Sequence, residues 1–183
     1  MSSAATTGGP YEPRGPRGTI RSVDFSKRGA EVTLRLRNDD SRPVHYISSV
    51  RTIRFDPATK RVVVGLSDEG RVVIPGAADV HPNFSYIDPG SEAELQLVLP
   101  PRIVKLAEGP LPDDEVRFEQ HDLADADEIV VEVAWSDIPY YEDVRAQERA
   151  LERNRPGAEL WMKGKTVMAA PMPGRESGGG GAR

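Results

Sequence analysis

From Glu31 to Arg37 the side chains alternate without a fault: Val32, Leu34 and Leu36 fall on one parity, and Glu31, Thr33, Arg35 and Arg37 on the other. Successive side chains of an extended strand point to opposite faces, so a period of two requires a strand with one dry face and one wet face. The same period returns at Ala93, Leu95, Leu97 and Leu99 against Glu94, Gln96 and Val98. It returns once more at Ile129, Val131, Val133 and Trp135. A half-apolar strand has to bury that half against another layer, which makes stacked sheets the natural solution.

Turn chemistry punctuates the alternation. Residues 38–43 (NDDSRP), 56–60 (DPATK), 67–70 (SDEG) and 88–91 (DPGS) carry the Asp, Asn, Pro and Gly that tight turns use, with Pro57 pre-set for a first central turn position. Between them, Val44, Tyr46, Ser48 and Val50 share one parity while Ile53 and Phe55 take the other. This phase flip predicts a β-bulge or a change of sheets near Arg51. Residues 61–66 and 71–74 read as strands. Residues 81–87 read as irregular or as an edge strand, because Pro82 cannot donate to a ladder. Short candidates follow at 102–106 and 116–118, and 160–168 is a last strand or hairpin. One surface helix is expected over 141–154 (YEDVRAQERALERN), stopped by Pro156 and Gly157.

The alternation, the turn at 88–91 and the strand ending in Trp135 resemble a generic immunoglobulin-like module over roughly residues 18–170. The expectation is an all-β, antiparallel sandwich of seven to nine strands with one short C-terminal surface helix. A disordered arm (1–17) and a flexible, Gly-rich tail (171–183) flank it.

Composition narrows the chemistry. With no cysteine among 183 residues, disulfides, thiolate metal sites and Cys nucleophiles are excluded. A net charge of −5 speaks against binding that rests on phosphate neutralisation, so no nucleic-acid partner is expected. No run approaches the roughly 18 apolar residues of a membrane helix, and the N-terminus lacks a secretory pattern, so no membrane partner and a cytoplasmic location are expected. Charge is uneven: residues 1–75 carry 13 basic and 8 acidic side chains (+5), and residues 76–183 carry 11 and 21 (−10). The arginines and glutamates of facing strands either neutralise each other across the pairing or leave a dipole suited to an acidic partner.

Motifs for catalysis are weak. Gly65 to Gly70 approximates a nucleophile elbow around Ser67, but the second glycine is one place late and a hairpin follows. His45, His81 and His121 share no ligand spacing. Residues 121–128 (HDLADADE) gather oxygen ligands suited to Ca²⁺, without an EF-hand's glycine and terminal glutamate. No catalytic, cofactor-binding or metal-ligating residue is assigned, and no cofactor is expected. Two clusters suit binding instead: His81, Asn83, Phe84 and Tyr86, and Tyr140 and Tyr141 with Trp161. Tyrosine and tryptophan bury much area at low entropic cost. The leading expectation is a non-catalytic module for a protein partner or self-association. The alternatives are a ligand-binding sandwich, for carbohydrate or Ca²⁺, and a hydrolase with a dispersed site.

Overall fold

A computed structural model describes residues 11–69, 81–106, 117–143, 145, 149 and 157–174. These residues are mostly β. The strands are β1 (Arg17–Ser26), β2 (Gly29–Arg37), β3 (Val44–Ile47), β4 (Thr52–Asp56), β5 (Arg61–Leu66), β6 (Phe84–Ile87), β7 (Glu92–Leu99), β8 (Arg102–Leu106), β9 (Phe118–Asp122), β10 (Glu128–Ser136) and β11 (Gly164–Pro171). A five-residue helix, α1 (Gly157–Trp161), and two 3-10 turns, Leu123–Asp125 and Tyr140–Glu142, complete them.

Three sheets result. The first has the order β1-β2-β7 and is antiparallel throughout. The second has the order β4-β5-β10-β3-β6, with β11 also on β10. The third is the pair β8-β9. In the second sheet β11 covers one edge of β10 along residues 128–135. The other edge of β10 is shared end to end: β5 lies parallel to residues 128–133, and β3 lies antiparallel to Trp135 and Ser136.

The alternation places the core as the sequence requires. Val32, Leu34 and Leu36 of β2 and Leu95, Leu97 and Leu99 of β7 point the same way and are buried. Val62, Val64 and Leu66 of β5 pair with Ile129, Val131 and Val133 of β10, also buried. Both sets belong to one apolar cluster, so the first two sheets face each other across a single interior.

Several expectations need correction. The sheets are not purely antiparallel, because β5 and β10 run parallel; the chain between them passes through β6 to β9, a connection long enough to allow it. Eleven strands stand among the described residues, against seven to nine expected. The overlooked strand is β1, whose register slips between Ile20 and Ser22, so that its two core-packing residues, Ile20 and Val23, lie three apart and hide the period of two. The phase flip near Arg51 is neither a bulge nor a change of sheets: β3 ends, and β4 begins on the far side of β5 in the same sheet. Residues 160 and 161 close a helix, 162 and 163 connect, and the last strand starts at Gly164. The expected disordered arm is held from residue 11 onward. The Tyr11 hydroxyl donates to Asp40 Oδ2 at 2.8 Å, the Arg42 guanidinium covers the Tyr11 ring at 4.0 Å, and Thr166 Oγ1 donates to the Pro16 carbonyl at 2.6 Å. Gly15 lies against the Trp135 ring, where a Cβ would overlap the indole. Of the helix expected over 141–154, Tyr141 and Glu142 belong to the 3-10 turn, Asp143 ends that turn, and Arg145 and Arg149 are helical; the rest, like the strand expected at 71–74, lies outside the described residues.

Part of the charge asymmetry is answered by pairing, mostly between the two halves of the chain. Arg37 meets Glu92, Arg61 meets Glu128, and Arg54 and Lys165 both reach Glu132.

Candidate functional site

Register decides which aromatic side chains share a face. Tyr46 pairs with Trp135 and with Ser85 and turns inward with them; His45 pairs with Tyr86, Ile47 pairs with Phe84, and these four turn to the outer face. The chain between β10 and β11 folds over that outer face. Phe84 stacks on Tyr140 with ring centroids 5.0 Å apart and planes at 11°. Trp161 meets both rings edge-on, at 5.2 Å from Phe84 and 6.4 Å from Tyr140. Its Nε1–H donates to the Ile138 carbonyl at 2.7 Å, which satisfies the one polar group of a side chain only 1% exposed. Gly157 lets α1 come down here, since a Cβ would collide with the Tyr140 hydroxyl. The packing leaves a groove of about 320 Å³ lined by His45, Phe84, Ser85, Tyr86, Pro139, Tyr140 and Tyr141.

The groove is neutral. Burial holds the His45 imidazole below its ordinary pKa, outweighing the carboxylates of Glu142 and Asp137, which act the other way. Tyr86 lies 6.0 Å from the His45 ring, and Tyr86 and Tyr141 are 59% and 75% exposed. Asp137, two residues before Pro139, has a buried Oδ1 that receives no hydrogen bond among the described residues.

The groove also borders a strand edge. Among the described residues β6 pairs with β3 alone. The Ser48 N–H donates to the Asn83 carbonyl at 2.8 Å, which makes 48/83 a hydrogen-bonded pair of the antiparallel ladder. Such pairs alternate, so 46/85 and 44/87 are bonded and the main-chain groups of Phe84 and Tyr86 face the open edge.

The sequence clusters therefore meet only in part. Tyr86, Tyr140 and Tyr141 line one groove. Trp161 is buried behind Phe84 and Tyr140, outside the lining, and is not a contact surface. Asn83 is exposed at the entry to β6, where its N–H donates to Ser49 Oγ at 3.0 Å, and His81 is exposed and outside the groove lining. Phe84 of the first cluster lines the groove too, and His45, Ser85 and Pro139 complete the lining without having been singled out for binding. The parity of Val44 and Tyr46 already implies an outward His45, but not a cover for it.

The remaining candidates disperse. Ser67 is buried in its turn, with its Oγ accepting from the Glu69 N–H at 3.1 Å and 3.8 Å from Met162 Sδ. In the acidic stretch, Leu123 and Ala126 are buried, Asp122 pairs with Arg102 at 3.3 Å and Glu128 with Arg61. No group of three or more His, Asp or Glu side chains able to hold a metal occurs among the described residues. His121 stacks on Phe55 at 4.6 Å. No described helix is long and apolar enough to cross a membrane. No protein-family model, curated protein or solved structure matches the chain.

Proposed function

We propose that the chain is a non-catalytic protein–protein interaction module, an immunoglobulin-like sandwich that takes an extended segment of a partner protein along β6 and into the aromatic groove. One observation carries this reading: a strand edge with no partner among the described residues adjoins a neutral, aromatic groove. Main-chain groups at an open edge supply affinity for an added strand, and flanking pockets supply selectivity for its side chains. Two exposed tyrosines beside a strand edge are the residue type that anchors such contacts. The Asp137 and Glu142 carboxylates near His45 favour a segment that carries a basic residue next to its apolar ones.

The test is selection of short random peptides on the immobilised protein, followed by calorimetric titration. Selected peptides should bind the Tyr86→Ala and Tyr141→Ala variants about tenfold or more weakly, with unchanged circular dichroism. A selection that enriches nothing, or peptides indifferent to both substitutions, would refute the reading.

The exposed faces of Tyr86 and Tyr141 suit a sugar ring as well, which keeps a carbohydrate-binding sandwich as the second reading. Titration with a glycan panel separates the two, because a groove built for an extended peptide leaves glycans unbound.

A further inference from the structure

The outer face of the first sheet gathers four guanidiniums around a second concavity, of about 380 Å³, independent of the aromatic groove. Arg35 and Arg37 come from β2, and Arg17 and Arg21 from β1. Register sets Arg17 directly opposite Arg37, a like-charge pair that an antiparallel ladder disfavours. The bulge at Arg21 and Ser22, two residues opposite the single Thr33, lets β1 keep Ile20 and Val23 on the core while Arg21 lines the concavity.

Two carboxylates hold this array in place. Asp39 meets Arg17 at 2.5 Å and Arg37 at 2.8 Å; Glu92 meets Arg37 at 3.3 Å and Arg35 at 3.6 Å. Each carboxylate is shared by two guanidiniums, and Arg21 has no ion pair among the described residues. Four guanidiniums stand against Asp39, Glu92 and Glu94, the last opposite Arg35 on β7, so the face keeps a positive excess with N–H donors to spare. Every cation in the cradle is arginine, whose planar fork matches an oxyanion bidentately.

We propose that this concavity binds a phosphate monoester, whose charge of about −2 and three acceptor oxygens suit clustered guanidinium donors. Thr19, opposite Arg35, adds a hydroxyl donor. Glu92, the single acidic residue in the lining, opposes binding electrostatically, so removing its charge should tighten the site.

The experiment is titration of the ¹⁵N-labelled full chain at low ionic strength with inorganic phosphate, phosphoserine, a sugar phosphate and glutamate. All three phosphates should shift the Gly18 and Thr19 amides and glutamate should not; the best of the three identifies the source of the phosphate. Arg21→Ala and Arg35→Ala should each weaken binding about tenfold, and Glu92→Gln should strengthen it several-fold. A purely structural ion-pair face gives no shifts, or shifts that ignore all three substitutions. Either result overturns the proposal, as does glutamate binding as well as phosphate. Because the aromatic groove is untouched by these variants, its peptide selection stands or falls separately.

Discussion

Replacing Asp68 by Asn keeps the shape of the side chain and removes its charge, which leaves Arg51 as a buried cation. Arg51 Nε lies 2.6 Å from Asp68 Oδ1 and Nη2 3.4 Å from Oδ2, and the two side chains are 7% and 2% exposed. Exposure fixes the magnitude. The Arg37–Asp39 pair is about as close, at 2.8 Å, but its side chains are 49% and 41% exposed, and such surface pairs contribute about 0–1 kcal/mol. Removing one partner of a buried pair costs about 3–5 kcal/mol, because the remaining charge loses its nearest counter-ion where water cannot replace it. For a chain of this size each kcal/mol lowers Tm by about 2–4 °C, so Asp68→Asn should lose roughly 6–20 °C. The assay is urea unfolding followed by tryptophan fluorescence, with thermal melts in parallel. The double variant Arg51→Met/Asp68→Leu removes both charges and should recover to within about 1 kcal/mol of the parent. A loss below about 1 kcal/mol in Asp68→Asn, or a double variant as unstable as the summed singles, would refute the argument that burial makes this pair matter. Location adds a consequence. The Arg51 N–H donates to the Gly65 carbonyl at 2.8 Å where the chain leaves β3 for β4, so the pair clamps the crossing that sets the groove-bearing strands apart from β4 and β5.

Two further outcomes follow from groups already described. Folding lowers the pKa of His45, so the unfolded chain holds more protons there; stability is complete above about pH 6.5 and declines as pH falls toward the folded value. A pH series of urea midpoints should show that decline in the parent and lose it in His45→Gln, and an identical slope in both chains would count against it. At the β1–β2 turn, Gly29 has φ +124°, and a Cβ there would overlap the Leu99 carbonyl oxygen. Gly29→Ala should therefore cost more than about 2 kcal/mol in the same denaturation assay, and a neutral effect would mean that the backbone relaxes freely at that turn.

Local pattern carried most of the fold class. The parities of β2, β7 and β10 named the core residues correctly, because a side chain's face depends only on its position along a strand. The parity change around Arg51 is likewise a local matter, and the sequence reports the break while remaining silent on where the chain goes next. β1 was illegible for the opposite reason: its bulge spoils the period, and it is the neighbouring β2 that makes those residues a strand. The two tyrosine clusters lie more than fifty positions apart, and nothing local says that Phe84 stacks on Tyr140.

By itself the chain determined that it forms strands, which of their faces are dry, and that thiol chemistry is absent, since these follow from residue type and spacing of two. Only the tertiary structure decided that β5 and β10 run parallel, that four arginines converge on one concavity, and that Tyr86 and Tyr141 share a groove while Trp161 is buried outside its lining. Those are matters of which strand lies beside which, and contacts between distant segments are set by the packing of the whole interior.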